Sequence, residues 1–435
     1  MALSSHRLTA IGLVLTCFAH AQTEDGYNTK ERILRIRELA KKNGAALPVL
    51  TQYLADPNRD IRIEAVQAIV KIDTERSLDP LVQATHDKDE DVAIRATDGL
   101  VNFYLPGYVA KGGRTGSLTR GVRQMKAFFS SRNDQIIESD VVIRPDVAQA
   151  LSDLVAGGPG FNARANAALA AGILRDEKAV PALVQSLHAK DDDLLFESLI
   201  ALQKINDPAA GADIGFLAHD LDERIQTTAL ETIGLFRSTS AAPDVRSALK
   251  TARSKNVRRA ALKALAMLGL QEDRPVFLQY AGDRDAELRS SALEGLGRIR
   301  EPEDFPALQS SFDEGEADWR IHLAAAFGMV NEGKVDTSEF SPMAYLVENL
   351  GTKARSQTAA AYLKDLARRQ DVRDSVTKMI PEMDKGQKVA LCPVLGGVGT
   401  PDALATLNTL AKDIDSDVAL AASKALRTAQ SRRIS

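Results

Sequence analysis

AELRSSALEGLGRI, residues 286–299, carries the pattern that decides the fold of this chain. Counted from Arg289, an alanine lies at offset +3, a leucine at +7 and an isoleucine at +10. This spacing places the three side chains on one face of a helix. The pattern returns, mostly every 31 or 32 residues, at reference positions Arg62, Ala93, Arg164, Leu195, Gln226, Arg258, Arg289, Arg320, Ser356, Lys388 and Ala419. Such regular recurrence predicts a stack of similar helical repeats.

The sequence pattern of each repeat predicts a pair of helices. The second helix carries the stripe at +3, +7 and +10, and a small residue at +3 lets a neighbouring helix approach closely. A shorter amphipathic segment precedes it, and prolines such as Pro181 and Pro306 stand near its start, where a missing N–H costs nothing. Residues two positions before the reference are interpreted as N-caps of the second helix: Asp60, Asp91, Asn162, Asp193, Asn256, Asp318 and Asp417.

The repeat pattern resembles a known family. The runs DIRIEAVQAIVKI at 60–72, NVRRAALKALAMLG at 256–269 and the stretch at 286–299 resemble HEAT repeats, specifically the short bacterial HEAT-like repeats of phycobilisome-lyase type. The resemblance implies an all-α fold, a right-handed α-solenoid (armadillo/HEAT-type superhelix) of about eleven helix–turn–helix repeats. It implies much less about function, because the family includes scaffolds, adaptors and lyase-associated proteins.

The pattern also divides the chain into segments. These are a signal peptide at 1–21, an N-terminal capping helix at 22–46, repeats 1–2 at 47–104, a basic, Gly-rich insertion with a short amphipathic helix at 105–144, and repeats 3–11 at 145–435.

The first residues are typical of an export signal. Arg7 supplies a positive charge, residues 8–18 form an apolar stretch, and 19–21 read Ala-His-Ala, a small-residue cleavage motif. We therefore expect cleavage after Ala21 and a periplasmic or secreted protein. Lipid anchoring at Cys17 is the alternative interpretation.

The insertion at 105–144 interrupts the period and is rich in positive charge. One interpretation is a docking element for an anionic membrane surface or an acidic partner. The other is that its apolar residues fold back onto the solenoid and leave the basic face in water. The candidate docking residues are Lys111, Arg114, Arg120, Arg123, Lys126, Phe128 and Phe129.

A second candidate site lies on the second helices, at offsets +5 and +9, which face away from each repeat's own core. In the middle repeats these offsets supply a candidate partner-binding groove: Leu169, Ile173, Ile200, Leu235, Met267 and Met329. An apolar strip of this kind suits an extended or helical partner segment. The alternative is that tight curvature buries these residues against adjacent second helices.

Several isolated features are better explained by structure. Trp319 and Cys392 stand at offsets that are apolar in other repeats, so we expect core roles. His86, His188 and His219 fall in different repeats without metal-ligand spacing. We predict no catalytic residues, no metal and no cofactor.

The favoured hypothesis is a non-catalytic protein-interaction scaffold or adaptor of the bacterial cell envelope, which binds a protein partner along its concave helix surface. A lyase-type enzyme or enzyme subunit is the first alternative. Nucleic-acid binding is the second, suggested by the local basic cluster Arg253, Lys255, Arg258, Arg259 and Lys263. The net charge of −4 disfavours it, so no nucleic acid is expected. Oligomeric state stays open.

Overall fold

The computed structural model describes residues 28–109, 135–138, 140–315 and 318–434. Every regular element in these residues is helical, which confirms the all-α prediction. The described residues form two compact units, called here the first and the second unit. The first unit extends to Ile205 without Glu138–Val142, and the second contains Glu138–Val142 and the chain from Asn206 onward. The predicted signal peptide lies outside the described residues.

The first unit contains four helix pairs behind an N-terminal helix. That helix, α1, covers 28–39 and continues as a 3₁₀-helix over Ala40–Ala46, within the segment predicted as a cap. The remaining helices are α2 (Leu47–Gln52), α3 (Arg59–Ile72), α4 (Leu78–Thr85), α5 (Glu90–Tyr104), α6 (Pro145–Gly157), α7 (Phe161–Leu174), α8 (Val180–Ser186) and α9 (Asp192–Ile205). Each second helix covers the stripe that the sequence predicted.

The second unit continues the series from repeat 5 to repeat 11. Its helices are α10 (Glu223–Phe236), α11 (Ala242–Thr251), α12 (Lys255–Leu268), α13 (Arg274–Tyr280), α14 (Ala286–Ile299), α15 (Phe305–Asp313), α16 (Trp319–Asn331), α17 (Pro342–Glu348), α18 (Ser356–Leu366), α19 (Gln370–Met379), α20 (Lys385–Val398), α21 (Pro401–Leu410) and α22 (Ser416–Ile434).

Repeat 5 departs from the helix–turn–helix prediction. Two 3₁₀-helices, Pro208–Asp213 and Gly215–His219, stand where other repeats have an α-helix. Gly211 explains part of this difference, because a Cβ there would lie 1.7 Å from the Ser238 Oγ. The backbone of this segment therefore packs closer to the α10 C-terminus than a helix with side chains could.

The N-cap prediction is wrong by two residues in most repeats. Asn58, Asp89, Asp222 and Asp285, four positions before the reference, accept hydrogen bonds from the backbone N–H groups of their helices. Asp318 alone of the predicted residues caps its helix at the expected offset, through the N–H of Arg320. Asp60 and Asp91 lie in the first turn instead, where a negative charge is favourable beside the positive end of the helix.

Ion pairs between successive repeats reinforce the stack. Arg62 holds Asp87 of the next repeat through Nε at 2.7 Å, and it is itself buried. In the second unit, Arg246 Nε lies 2.6 Å from Asp273 Oδ1, and the carboxylate partner is almost completely buried. These contacts fix the register of one repeat on the next, because each arginine fork matches a carboxylate in a single geometry.

Glycines at offset +8 allow second helices to pack closely. In α14 and α16 the glycines meet face to face: a Cβ added to Gly297 would lie 2.4 Å from the Cα of Gly328. In the first unit, a Cβ on Gly172 would lie 2.7 Å from the Cα of Ala201. No side chain fits between two backbones at this separation, so the glycines set the spacing of these helices.

Replacing Gly297 with leucine is expected to lower the free energy of unfolding by about 2–3 kcal/mol, because the new side chain must push α16 away. Urea unfolding followed by the fluorescence of Trp319, the single tryptophan, reports the change locally in α16. Gly282→Ala is the matched control, since no atom lies within 4 Å of a Cβ there. An equal loss in both variants would contradict the close-packing argument.

Asp176 in the first unit is a buried carboxylate with an incomplete set of partners. Its side chain is 1% exposed; it caps the 3₁₀-helix Glu177–Ala179, but its Oδ2 has no hydrogen-bond partner among the described residues. Burial raises the pKa of Asp176 from 3.8 to about 6. The folded state therefore keeps a proton that the unfolded state has already released between about pH 4 and pH 6.

Because of this raised pKa, the first unit is expected to lose stability as the pH rises from about 4 to 6, by about 3 kcal/mol from Asp176 alone. Asp176→Asn should remove that part of the pH dependence, since no charge then has to be buried. Denaturant unfolding followed by circular dichroism at pH 4.5 and pH 7 measures the difference. Identical pH profiles for the wild type and the variant would show that the carboxylate is better solvated than its burial indicates.

Trp319 and Cys392, which their offsets assign to the core, both contact the C-terminal hydrophobic cluster. Cys392 is fully buried, burial raises the pKa of its thiol to about 11, and its Sγ donates a hydrogen bond to the carbonyl oxygen of Lys388. Trp319 is half-buried against the C-terminal hydrophobic cluster, with the guanidinium of Arg320 4.5 Å from its ring. The core prediction is confirmed for Cys392, whereas Trp319 lies at the edge of the core and stays half-buried.

Candidate functional site

The predicted apolar groove is only partly a surface. Ile173, Ile200 and Met329 are 1%, 7% and 6% exposed, so they are core residues rather than partner contacts. The second helices of neighbouring repeats pack on each other, so residues that face away from their own repeat face a neighbouring second helix instead. Leu169 and Met267 are half-buried, and Leu235 is 51% exposed. The groove prediction therefore survives as a surface mainly at Leu235, where partner binding stays a prediction.

The predicted docking residues of the insertion, Lys111 to Phe129, lie outside the described residues. Of the described end of the insertion, Ile137 and Arg144 belong to the first unit, whereas Glu138–Val142 belong to the second. Ile137 is buried, and its N–H donates to the carbonyl oxygen of Ile173 at 2.9 Å. The hydroxyl of Tyr104 accepts a hydrogen bond from the N–H of Arg144. The return of the chain to repeat 3 is thus fixed in place.

A cavity of about 210 Å³ lies in the second unit, where the second helices of five successive repeats end. Its polar wall consists of Arg237, Arg298, Arg368 and Asp365. Met267, Leu268, Phe327 and Leu366 supply its apolar wall. Since the contributing repeats are separated widely in sequence, this site is a product of the stack and not of any one repeat.

Arg298 is the centre of a buried charged network beside the cavity. Its side chain is 11% exposed, and its Nη2 lies 2.7 Å from Glu294 Oε1 in the preceding turn of α14. Its Nη1 donates to Asp365 Oδ2 at 2.9 Å. The hydroxyl of Tyr362 donates to the other oxygen of Glu294 at 3.0 Å. Burial raises the pKa of Tyr362 well above its ordinary value, so the phenol remains a neutral donor.

Two aromatic rings, of Phe327 and Tyr362, pack against this network. Phe327 and Tyr362 stack with ring centroids 4.7 Å apart, and the Arg298 guanidinium carbon lies 4.9 Å from the Phe327 centroid. A cation over an aromatic face is attracted by the ring quadrupole. Arg298 is therefore fixed from three sides, by two carboxylates and a ring, and cannot swing into solvent without breaking all of them.

Arg237 approaches the same carboxylate from α10. Its Nη2 donates to Asp365 Oδ2 at 2.6 Å across 128 residues of sequence, while its side chain stays 40% exposed. The residue follows the helix C-terminus with φ 51°, in the left-handed region. Arg175 and Arg300 occupy the same offset, +11, with φ 52° and 63°. This backbone conformation is thus a feature of the repeat, and only Arg237 of the three lines the cavity.

The charge balance around Arg237 is unusual for this protein. Burial lowers the pKa of Arg237, and the like charges of Arg298 and Arg368 lower it further against the pull of Asp365. The other described arginines whose pKa shifts have it raised, because their carboxylate partners outweigh burial. Three guanidinium groups therefore share two carboxylates, Glu294 and Asp365, and Arg237 is incompletely neutralised.

The sequence analysis missed this network although its positions were available. Glu294 and Arg298 occupy offsets +5 and +9 of repeat 7, and Asp365 occupies +9 of repeat 9. Those are the same offsets that supplied the apolar candidates. Charged residues at offsets +5 and +9, where neighbouring repeats carry apolar residues, are the signal that pointed to a charged cluster on this face.

The basic cluster considered for nucleic-acid binding is partly paired within the protein. Lys255 Nζ and Arg259 Nη2 each lie 2.6 Å from Asp285 Oδ2, and Arg259 Nη1 lies 3.0 Å from Glu287 Oε2. Arg258 donates to the carbonyl oxygen of Ala252. Two of the five cations, Lys255 and Arg259, are therefore paired with carboxylates of the next repeat.

The part of the chain that the structure describes shows no arrangement typical of a metal site. There, no group of three or more histidine, cysteine, aspartate or glutamate side chains is arranged to hold a metal ion. Within the same ranges, none of the helices combines the length and the apolar character needed to cross a membrane.

Three solved structures that are similar to this chain share 20% sequence identity or less with it. An engineered protein shares 17% identity and a TM-score of 0.31, covering 88% of this chain and 98% of that chain. Human deoxyhypusine hydroxylase in complex with glycerol shares 20% identity and a TM-score of 0.28, covering 58% of this chain and 96% of its own. The complex of CpcE and CpcF of phycocyanin lyase from Nostoc sp. PCC7120 shares 16% identity and a TM-score of 0.34, covering 66% of this chain and 94% of that chain.

No curated protein matches the chain by sequence. A family profile does: residues 20–100, 214–279 and 254–328 match the profile described as HEAT repeats. These segments include second helices of both units, and their pattern is the one that predicted the fold from the residues. The resemblance is thereby confirmed over these segments, which match HEAT repeats.

Proposed function

We propose that this protein is a non-catalytic protein-interaction scaffold of the bacterial cell envelope, which binds its partner on the face formed by the second helices. HEAT-repeat architecture suits protein interaction, because stacked repeats present a long continuous surface. The observation that carries the proposal is the cavity, whose charged and apolar groups converge from five successive repeats. The site is thus assembled by the stack of repeats, and it offers positive charge and apolar surface to one group of a partner.

Leu235 adds an apolar contact to this face. It lies on α10, two residues before Arg237, and is 51% exposed. The exposed leucine and the incompletely neutralised arginine together offer an apolar group and a positive charge to a partner. The partner surface should therefore combine an apolar side chain with a negative charge.

A cross-linked pull-down from the native envelope tests the scaffold function. The wild-type chain should recover a discrete partner, and Leu235→Glu should lose it. Leu278→Glu is the matched control, because Leu278 is 45% exposed but lies on a first helix, α13. Equal recovery by all three proteins would remove the second-helix face as the binding surface.

The proposed export from the cytoplasm is supported by the signal-peptide pattern of residues 1–21. Cell fractionation with mass spectrometry of the mature N-terminus is the test. We expect an envelope protein that begins at Gln22, which would exclude lipid anchoring at Cys17. A cytoplasmic chain that retains residues 1–21 would overturn the envelope assignment and leave the binding face untouched.

A further inference from the structure

We infer that the cavity beside Arg237 binds a carboxylate of the partner, either an acidic side chain or the chain terminus, next to an apolar side chain. This inference rests on the proposed scaffold function and adds the chemistry that the site would recognise.

The first argument is the number of hydrogen-bond donors. A guanidinium has five N–H donors, and Arg237 directs Nη2 to Asp365. The side chain of Arg368 is 69% exposed, and its Nη2 lies 3.8 Å from Asp365 Oδ1. This separation is longer than a hydrogen bond. Asp365 already accepts from Arg237 and Arg298 on one oxygen. Donors of Arg237 and Arg368 therefore remain available at the cavity while the acceptor between them is occupied.

The second argument is rigidity. Arg298 and Glu294 are buried and fixed by Tyr362 and Phe327, so they hold Asp365 in one position. Asp365 in turn places the Arg237 guanidinium at the edge of the cavity. A receptor that is ordered before its ligand arrives loses little entropy on binding.

The third argument is charge. Three guanidinium groups face two carboxylates, which leaves one positive charge in excess. Helix C-termini surround the site, and their partial negative charge favours the arginines without a ligand. This attraction to the helix C-termini explains why arginines are favourable at the site even without a ligand. It does not balance the excess positive charge of Arg237, Arg298 and Arg368 over Glu294 and Asp365. One added carboxylate would neutralise the excess.

The volume of the cavity limits the size of the group that it can hold. Pockets for drug-sized ligands occupy about 300–1,000 Å³, whereas this cavity has about 210 Å³. It therefore suits one side chain or one chain end. Met267 and Leu268 line its apolar side, so the carboxylate should be accompanied by an apolar group. Arginine forks bind carboxylates in bidentate geometry, which adds specificity to this charge match.

The test is a titration of the full mature chain with labelled methionine methyl groups, observed by NMR. Met267 lines the cavity, so its methyl signal is a local reporter. The probes are blocked acetyl-Leu-Glu-Leu-amide, acetyl-Leu-Gln-Leu with a free C-terminus, the neutral acetyl-Leu-Gln-Leu-amide and inorganic phosphate. We expect one of the two carboxylate peptides to shift the Met267 signal with saturation, and which one does so identifies the source of the carboxylate.

Arg237→Gly is the decisive variant, because glycine adopts the left-handed backbone at 237 without strain and removes the side chain with its guanidinium. It should weaken peptide binding about tenfold, the loss of one charge-assisted contact. Arg300→Gly has the same backbone change, since Arg300 lies at φ 63°, and should bind as the wild type does.

Three results would overturn the inference: equal binding by Arg237→Gly and wild type, equal binding of the neutral peptide, or tighter binding of phosphate than of either peptide. A purely structural role for Arg237 would alter stability and leave the Met267 titration unchanged. If the peptides fail while envelope capture still depends on Leu235, only this inference fails. If both fail, the proposed scaffold function fails as well.

Discussion

Replacing Arg298 with methionine is expected to lower the free energy of unfolding of the second unit by about 3–5 kcal/mol. Methionine keeps most of the side-chain volume, so the loss reports charge rather than a cavity. Glu294 is 6% exposed and would remain as a buried carboxylate whose cation has been removed. Urea unfolding followed by the fluorescence of Trp319 measures the change, since Trp319 lies in the same unit.

The double variant Arg298→Met/Glu294→Met separates the charge effect from packing. Removing both charges leaves an apolar pair, so part of the lost stability should return, although the buried hydroxyl of Tyr362 loses its acceptor on Glu294. Arg300→Met serves as the single-residue control, because Arg300 is exposed and should change stability by no more than about 0.5 kcal/mol. A double variant as unstable as the sum of its single variants would show that the pair is not coupled.

Replacing Phe327 with alanine is expected to cost about 3–5 kcal/mol, the usual range for a buried aromatic residue. Phe327 is 2% exposed and belongs to the hydrophobic cluster that α16 shares with α17, α18 and α20. Its removal also takes away the stacking partner of Tyr362 and the ring beneath Arg298. The same urea titration applies.

Phe340→Ala is the matched control for this second prediction. Phe340 is 81% exposed, so its removal opens no cavity and should change stability by about 0.5 kcal/mol or less. A loss below about 1 kcal/mol in Phe327→Ala would mean that the site collapses to fill the space. That result would contradict the rigid packing of the Phe327 and Tyr362 rings, on which the carboxylate site depends.

The sequence predicted the second helices well, because their apolar stripe is local and repeats. Ala292 and Leu296, at +3 and +7 of repeat 7, are both completely buried, as expected from the stripe. The cap position was harder to predict, since aspartate is favourable both as an N-cap and in the first turn. Asp89 and Asp91 illustrate the ambiguity, and only Asp89 accepts the backbone N–H groups.

The candidate site depends on distances that periodicity does not contain. Offsets +5 and +9 show that a side chain faces away from its own repeat, but not how closely the next second helix approaches. Glycines such as Gly297 set that approach, and with it the burial of Met329 and the exposure of Leu235. The contact between Arg237 and Asp365 joins residues 128 positions apart, so no local pattern could reveal it.

The most direct test of the proposed scaffold is site-specific photo-cross-linking in intact cells. A photoreactive residue replaces Leu235 in one protein and Leu278 in another, since the two positions are similarly exposed. The account predicts a discrete cross-linked partner at 235, weakened by Arg237→Gly, and none at 278. Cross-links of equal yield at both positions, or none at 235, would contradict a partner bound on the second-helix face.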